Sequence, residues 1–338
     1  KMITKMIQKS HLPRRAFITQ RWQEPVICPA AKRPDDGRKN QLLVYYANVV
    51  VIESHQKPLE KAMLNQQIKK MKKIGAMMLM FVSLSTKAHP GVGIVMDRQG
   101  NVFYTDLSNV WRIDPSGKKT LAVRGVHTHE LFLDSHGNLF GEHLWYNGER
   151  LNTWGHFVWK RTAQGAYQKI TPDTEGFLTD YSFVRDHVGN MYVADRDTAC
   201  QMIYQITPHQ QKKRVSPACL TRVSWMYANP RGEIVFTDDK KLKQLTHRGL
   251  RTVASLPNGA MGVWDDAEGN LYAACYADQQ VKKFTRDGRV VVVATTHSDW
   301  HPSGGLIGPD GACWILENNS RNEVRVEKVL TNGQRITF

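Results

Sequence analysis

The sequence predicts an all-β protein, a six-bladed β-propeller of four-stranded antiparallel blades, and three observations predict it. Short apolar runs, of strand rather than helix length, fill residues 89–338. A glycine turn recurs through them at Gly100, Gly137, Gly189, Gly232, Gly269 and Gly311, at intervals of 37, 52, 43, 37 and 42 residues. After each turn come a second run, a third and often a fourth. Four short antiparallel strands at a period near forty residues make a propeller blade. Such a blade cannot cover its own two faces, so the repeats must stack radially around a channel. A β-sandwich with accidental likeness between its hairpins is the competing reading, and six aligned turns argue against it.

The chain before the repeats is of another character. Of the formal net charge of +15, residues 1–88 hold 17 Lys and Arg against 5 Asp and Glu, while the other 250 residues hold 29 against 26. The body is nearly neutral, so a nucleic-acid partner is not expected: binding needs a basic face on the folded domain. Residues 71–88, MKKIGAMMLMFVSLSTKA, have the charged start, short apolar core and small-residue end of a secretory signal peptide. The expectation is export to the periplasm or the extracellular space, a chain starting near His89, and no permanent membrane span once the signal is cleaved. An internal apolar helix or a retained anchor is the other reading. Residues 1–70 read as upstream sequence or as a disordered basic arm. Cysteine spacing suggests neither a zinc knuckle nor a compact disulfide framework, and Cys275 and Cys313, in apolar runs, read as buried thiols.

The six turn-and-strand cores are DRQGNVFYTD (97–106), DSHGNLFGEH (134–143), DHVGNMYVAD (186–195), NPRGEIVFTD (229–238), DAEGNLYAAC (266–275) and GPDGACWILE (308–317). Each has glycine where a tight hairpin needs positive φ. Third strands follow as VWRID, HFVWKRT, QMIYQIT, KLKQLT, QVKKFT and EVRVEKVL, and outer strands as TLAV, RTVAS and VVVVA. Blade two carries the longest insert, LWYNGERLNTWGHFVW (144–159), whose stretch TWGH is expected as an aromatic loop at a channel mouth.

The unit Gly-Asn-apolar-aromatic-x-x-Asp resembles the NHL repeat, and the whole is similar to the six-bladed senescence-marker and gluconolactonase propellers. The last blade, HPSGGLIGPDGACWILENN, resembles a repeat of the streptogramin B lyases. The lactonase resemblance implies a divalent cation held by Glu, two Asn and Asp. Glu130 and Asp238 would match the outer two, with Asp195 and Ser182 standing where Asn is expected. The lyase resemblance implies a metal-oriented lactone, proton abstraction by His and ester cleavage by elimination. NHL propellers can also be ligand- or protein-binding modules, so binding without catalysis stays open.

The residues themselves put chemistry at one rim, because the start of each inner strand and the end of the second strand lie at the same end of a blade. His127, His129 and Glu130 precede the inner run of blade two, and Glu142 and His143 end its second. Other blades can bring Asp195, Arg196 and Asp197, Asp238, Tyr276, and His301, Glu317 and Asn318 to that rim. Expected as catalytic are His143, His301 and Glu142. Trp154, Arg196, Tyr276, Glu317 and Asn318 are expected to contact ligand. His127, His129, Glu142 and His143 form the expected metal set, with Glu130, Asp195 and Asp238 as the alternative. Imidazoles favour a transition metal over Ca2+. The structural reading of Asp106 and Asp238 is that they accept hydrogen bonds within their own blades. The expected function is a metal-assisted hydrolase or lyase on a small sugar-related, ester or lactone substrate, monomeric and without an organic cofactor.

Overall fold

The computed structural model describes residues 90–178, 181–195, 200–229 and 231–338. The signal-peptide and upstream segments, with Arg196 and Asp197, lie outside the described residues. Blade one is β1 (Ile94–Met96), β2 (Val102–Thr105), β3 (Asn109–Ile113) and β4 (Lys119–Arg124). Blade two is β5 (Leu131–Leu133), β6 (Leu139–Tyr146), β7 (Trp154–Arg161) and β8 (Tyr167–Lys169), with β9 (Thr174–Glu175) added against β7. Blade three is β10 (Met191–Asp195), β11 (Met202–Ile206) and β12 (Lys212–Arg214); its inner position holds a single bridge, Arg185 to Met191.

Blade four is β13 (Val223–Ala228), β14 (Ile234–Asp238), β15 (Lys241–Thr246) and β16 (Gly249–Ser255). Blade five is β17 (Gly262–Asp265), β18 (Leu271–Cys275), β19 (Gln280–Phe284) and β20 (Val290–Thr295). Blade six is β21 (His301–Ile307), β22 (Cys313–Asn318), β23 (Val324–Val329) and β24 (Arg335–Thr337). Pairing within every blade is antiparallel between successive strands. Among the described residues no helix is long and apolar enough to cross a membrane.

The repeated turn has a chemical cause. The six glycines take φ between +76° and +86°, a region closed to most side chains. In blades one, two, three and five an Asp three residues earlier accepts the backbone N–H of the residue after the glycine. The same carboxylate accepts that residue's Asn side chain, as in Asp134 with Asn138 at 2.9 and 2.7 Å. Blade four makes the loop with Asn229 and Glu233 instead.

Core packing shows why the repeats must stack. The buried apolar residues sort into six clusters, each drawing side chains from two successive blades. Blade two meets blade one through Leu139 and Trp159 against Phe103 and Val110. Blade six meets blade one through Trp314, Leu316 and Val326 against Ile94, Val102 and Tyr104. Among the described residues all four strands of blade six come from one continuous stretch, residues 301–337. The ring closes where Ser303 Oγ donates to Gly91 O at 2.8 Å, and a side chain on Gly304 would strike the Val92 carbonyl.

The insert of blade two corrects an expectation. Trp154, Gly155 and His156 of TWGH are strand, not loop: β6 and β7 are each eight residues long and pair from Leu139–Arg161 out to Tyr146–Trp154. The hairpin simply continues past the other blades' ends, because Trp145 lies flat across Gly155, its partner in register, where a Cβ would meet the indole.

Candidate functional site

Beyond Leu131 the inner strand of blade two leaves the ladder, and side chains take over the freed backbone groups. Thr128 Oγ1 accepts the Glu142 N–H at 3.1 Å, and Trp159 Nε1 donates to Glu142 O at 2.8 Å. Gly141 makes room for both partners, since a Cβ there would strike the Trp159 ring and Thr128 Oγ1. His129 is fixed from the other side: its carbonyl accepts the N–H groups of Val92 and Gly93, 2.9 and 2.8 Å away in blade one.

These supports bring three side chains into a row. Glu142 Oε1 lies 3.5 Å from His129 Nδ1, and His129 Nε2 lies 3.2 Å from His127 Nε2. Glu142 and His129 are buried, 4% and 1% exposed, whereas His127 is half-buried. A carboxylate beside Nδ1 favours the tautomer with its proton there, so His129 Nε2 accepts from His127 Nε2–H. The row therefore runs from a buried carboxylate through a buried imidazole to one that reaches the rim.

His143 is separated from this row. Adjacent strand residues face opposite ways, so Glu142 and His143 look to different sides of β6. The His143 ring stacks on Trp145 and packs against Phe157, with centroids 5.6 and 5.0 Å away. Its Nδ1 accepts the His127 N–H at 2.9 Å, while Leu144 N–H donates to His127 O. Burial pushes the His143 imidazole below its usual pKa. Its place is to hold the His127 backbone.

The donor set bears on the metal expectation. Two imidazole nitrogens 3.2 Å apart have the spacing of neighbouring ligands on one ion. Glu142, however, sits behind His129, and His143 is turned away. Among the described residues no group of three or more His, Cys, Asp or Glu is arranged to hold a metal ion. Two imidazoles fall short of the roughly three protein ligands of a catalytic zinc site. In the alternative set, Asp238 is already engaged by Lys243 Nζ at 2.6 Å and by the N–H groups of Thr221 and Arg222, both at 2.8 Å. Burial alone would raise its pKa, but Lys243 and those N–H groups outweigh that and hold it low. Glu130 adjoins His129, and Asp195 ends β10 in another blade. Asp106 is structural, accepting Trp111 Nε1 and the N–H groups of Ser108 and Asn109.

A second cluster forms between blades five and six. His301 Nδ1 meets Tyr276 O at 2.9 Å, and the two rings stack with centroids 4.5 Å apart. Glu317 is fully buried and takes Arg325 Nε at 2.5 Å; that guanidinium lies 4.2 Å from the Trp300 ring centre. Burial raises the Glu317 pKa, against the pull of Arg325. Asn318 donates instead to Ser303 Oγ at 2.6 Å, in the joint to blade one. Trp154 packs between Tyr146 and Phe177 on the extended hairpin. Sequence reasoning missed Thr128, Trp300 and Arg325; Arg325 becomes visible only through its register opposite Glu317.

No protein-family model matches the sequence, and no curated protein matches it. Solved structures similar to this chain include a virginiamycin B lyase from Staphylococcus aureus, 14% identical, covering 75% of this chain and 86% of that one, TM-score 0.46. A gluconolactonase from Xanthomonas campestris is 15% identical over 66% and 82%, TM-score 0.48. The calcium-binding protein regucalcin from Agrobacterium tumefaciens is 14% identical over 69% and 83%, TM-score 0.47.

Proposed function

We propose that the protein is a propeller enzyme, a lyase or hydrolase acting on a small ester, lactone or sugar-related molecule at the rim where the inner strands begin. The observation that carries this reading is the row Glu142–His129–His127. A buried carboxylate and a buried imidazole cost desolvation energy that packing alone has no use for. Placed behind a half-buried histidine, they make it a base.

His127 takes a proton either from water, whose oxygen adds to the carbonyl so that the ester C–O bond breaks and the alkoxide leaves with the returned proton, or from the carbon beside the C–O bond, whose C–H electrons form a C=C bond as the carboxylate leaves. Its own Nε2 proton passes to His129 Nε2, and Glu142 stabilises the resulting imidazolium. The half-buried aromatic face of Trp154 and Phe177 suits a flat ligand group. Export is part of the proposal, and the Cys200–Cys219 disulfide supports it, since such bonds persist in oxidising compartments.

The test is turnover of a panel of lactones and esters by the wild-type protein and by Glu142→Gln. Turnover lost in the variant with its thermal midpoint kept supports the row as acid–base machinery. Equal turnover in both removes it. Saturable ligand binding without turnover in either makes the protein a binding module.

A further inference from the structure

The opposite rim, where the glycine turns lie, carries a feature that the proposed reaction does not use. Between blades three and four is a hollow of about 440 Å³, within the range of small-molecule sites. Its floor is apolar, made by Val215, Ile234 and Leu245, with Tyr192 and Gln205 at one side. Its edge is cationic. Lys213 and Arg214 come from β12, Arg231 from the turn of blade four, and His247 from the turn between β15 and β16.

The charges do not cancel. Among the described residues Lys213 and Arg214 have no carboxylate within ion-pair distance; Glu233, the acidic residue of the lining, is 3.1 Å from Arg231. Asp265, outside the lining, lies 3.8 Å from the same guanidinium and 2.8 Å from the Tyr227 hydroxyl. Arg231 is thus shared by Glu233 and Asp265, and Asp186 accepts the Tyr192 hydroxyl at the side of the hollow, so Lys213 and Arg214 are the two cations of the edge that no carboxylate pairs among the described residues. Arg231 Nε and Nη2 both bond Glu233, at 3.2 and 3.1 Å, so its guanidinium is held in place before any ligand arrives.

The fold supplies an internal control. Blades five and six enclose the matching hollow, about 220 Å³, at the equivalent turn. Gly311 stands for Gly232, Cys313 for Ile234, Val329 for Leu245, Thr331 for His247 and Tyr272 for Tyr192. Register confirms the match, since Ile234 pairs Leu245 as Cys313 pairs Val329. That copy has no charged residue in its lining. Propeller packing therefore needs a small apolar hollow here but neither the doubled volume nor the cations.

We propose that the hollow between blades three and four binds a small organic dianion, its charged group at Lys213, Arg214 and Arg231 and its apolar part on the Val215–Ile234–Leu245 floor. A phosphate monoester has the matching charge. Calorimetric titration of the purified protein with phenyl phosphate should show saturable binding, weaker for inorganic phosphate, which has no apolar part, and absent for phenol. Phthalate in a parallel titration tells a dicarboxylate site from a phosphate site. Lys213→Gln/Arg214→Gln, both changes on an exposed outer strand, should weaken binding by about ten-fold and leave the thermal midpoint in place. Glu142→Gln should bind as wild type does, which separates this site from the catalytic reading. No saturable heat with either dianion, or equal binding by the double variant, overturns the proposal.

Discussion

Blades two and six each bring a histidine and a buried glutamate to the same rim, yet they use them differently. In blade two the carboxylate of Glu142 backs His129, and the pair leads to His127. In blade six Glu317 is held by Arg325 across the ladder, while His301 leans on Tyr276. A carboxylate beside an imidazole tunes a base; one beside a guanidinium makes a fixed ion pair. Residue type at the rim thus says little until the partner is known.

The sharpest way to break this comparison is Glu142→Gln against Glu317→Gln. The first should lower kcat by about 10²–10⁴-fold, the range of general acid–base catalysis, and the second should leave kcat near wild type. Comparable losses in both would merge the two sites.

Arg325→Met should tell the same story in stability. It leaves Glu317, 0% exposed, without its cation and should cost about 3 kcal/mol, read from the urea midpoint at neutral pH. Because the folded pKa of Glu317 is raised, its protonated form is favoured by folding. The deficit should shrink as pH falls through that raised value and reappear as pH rises above it. A deficit independent of pH would mean that lost packing on Trp300, not charge, is what Arg325 supplies.

A smaller effect is expected on the extended hairpin of blade two. Gly155→Ala forces the Trp145 ring aside and should cost about 1–3 kcal/mol by overpacking, seen as a lower thermal midpoint. Smallest is Trp154→Leu, which removes an aromatic pair worth about 0.5–1.5 kcal/mol. It should raise KM a few-fold with kcat unchanged; a fall in kcat would put Trp154 nearer the reacting atoms than the rim.

The turns were legible because local chemistry makes them. Asp134, Gly137 and Asn138 need only one another to close their loop, so a reader of the chain finds that loop without the fold. Strand lengths were legible in part: β1 and β5 hold three residues, β21 seven and the inner position of blade three a single bridge, and Trp145 over Gly155 extends β6 and β7 into what composition presents as a loop. The candidate site was legible as a meeting of residues, not as a function. His127, His129 and Glu142 converge, but His143, next in sequence to Glu142, faces the aromatic stack.

By itself, then, the sequence determined the number of blades, the hairpin turns and the rim to which the polar residues go, since each depends on contacts a few residues apart. Tertiary structure alone decided which of two neighbouring side chains joins His129, which carboxylate receives Arg325 and which hollow between blades is cationic. Strand alternation guarantees that Glu142 and His143 part company, but which of them meets His129 depends on how Thr128, Gly141 and Trp159 shape blade two and how blade one holds the His129 carbonyl.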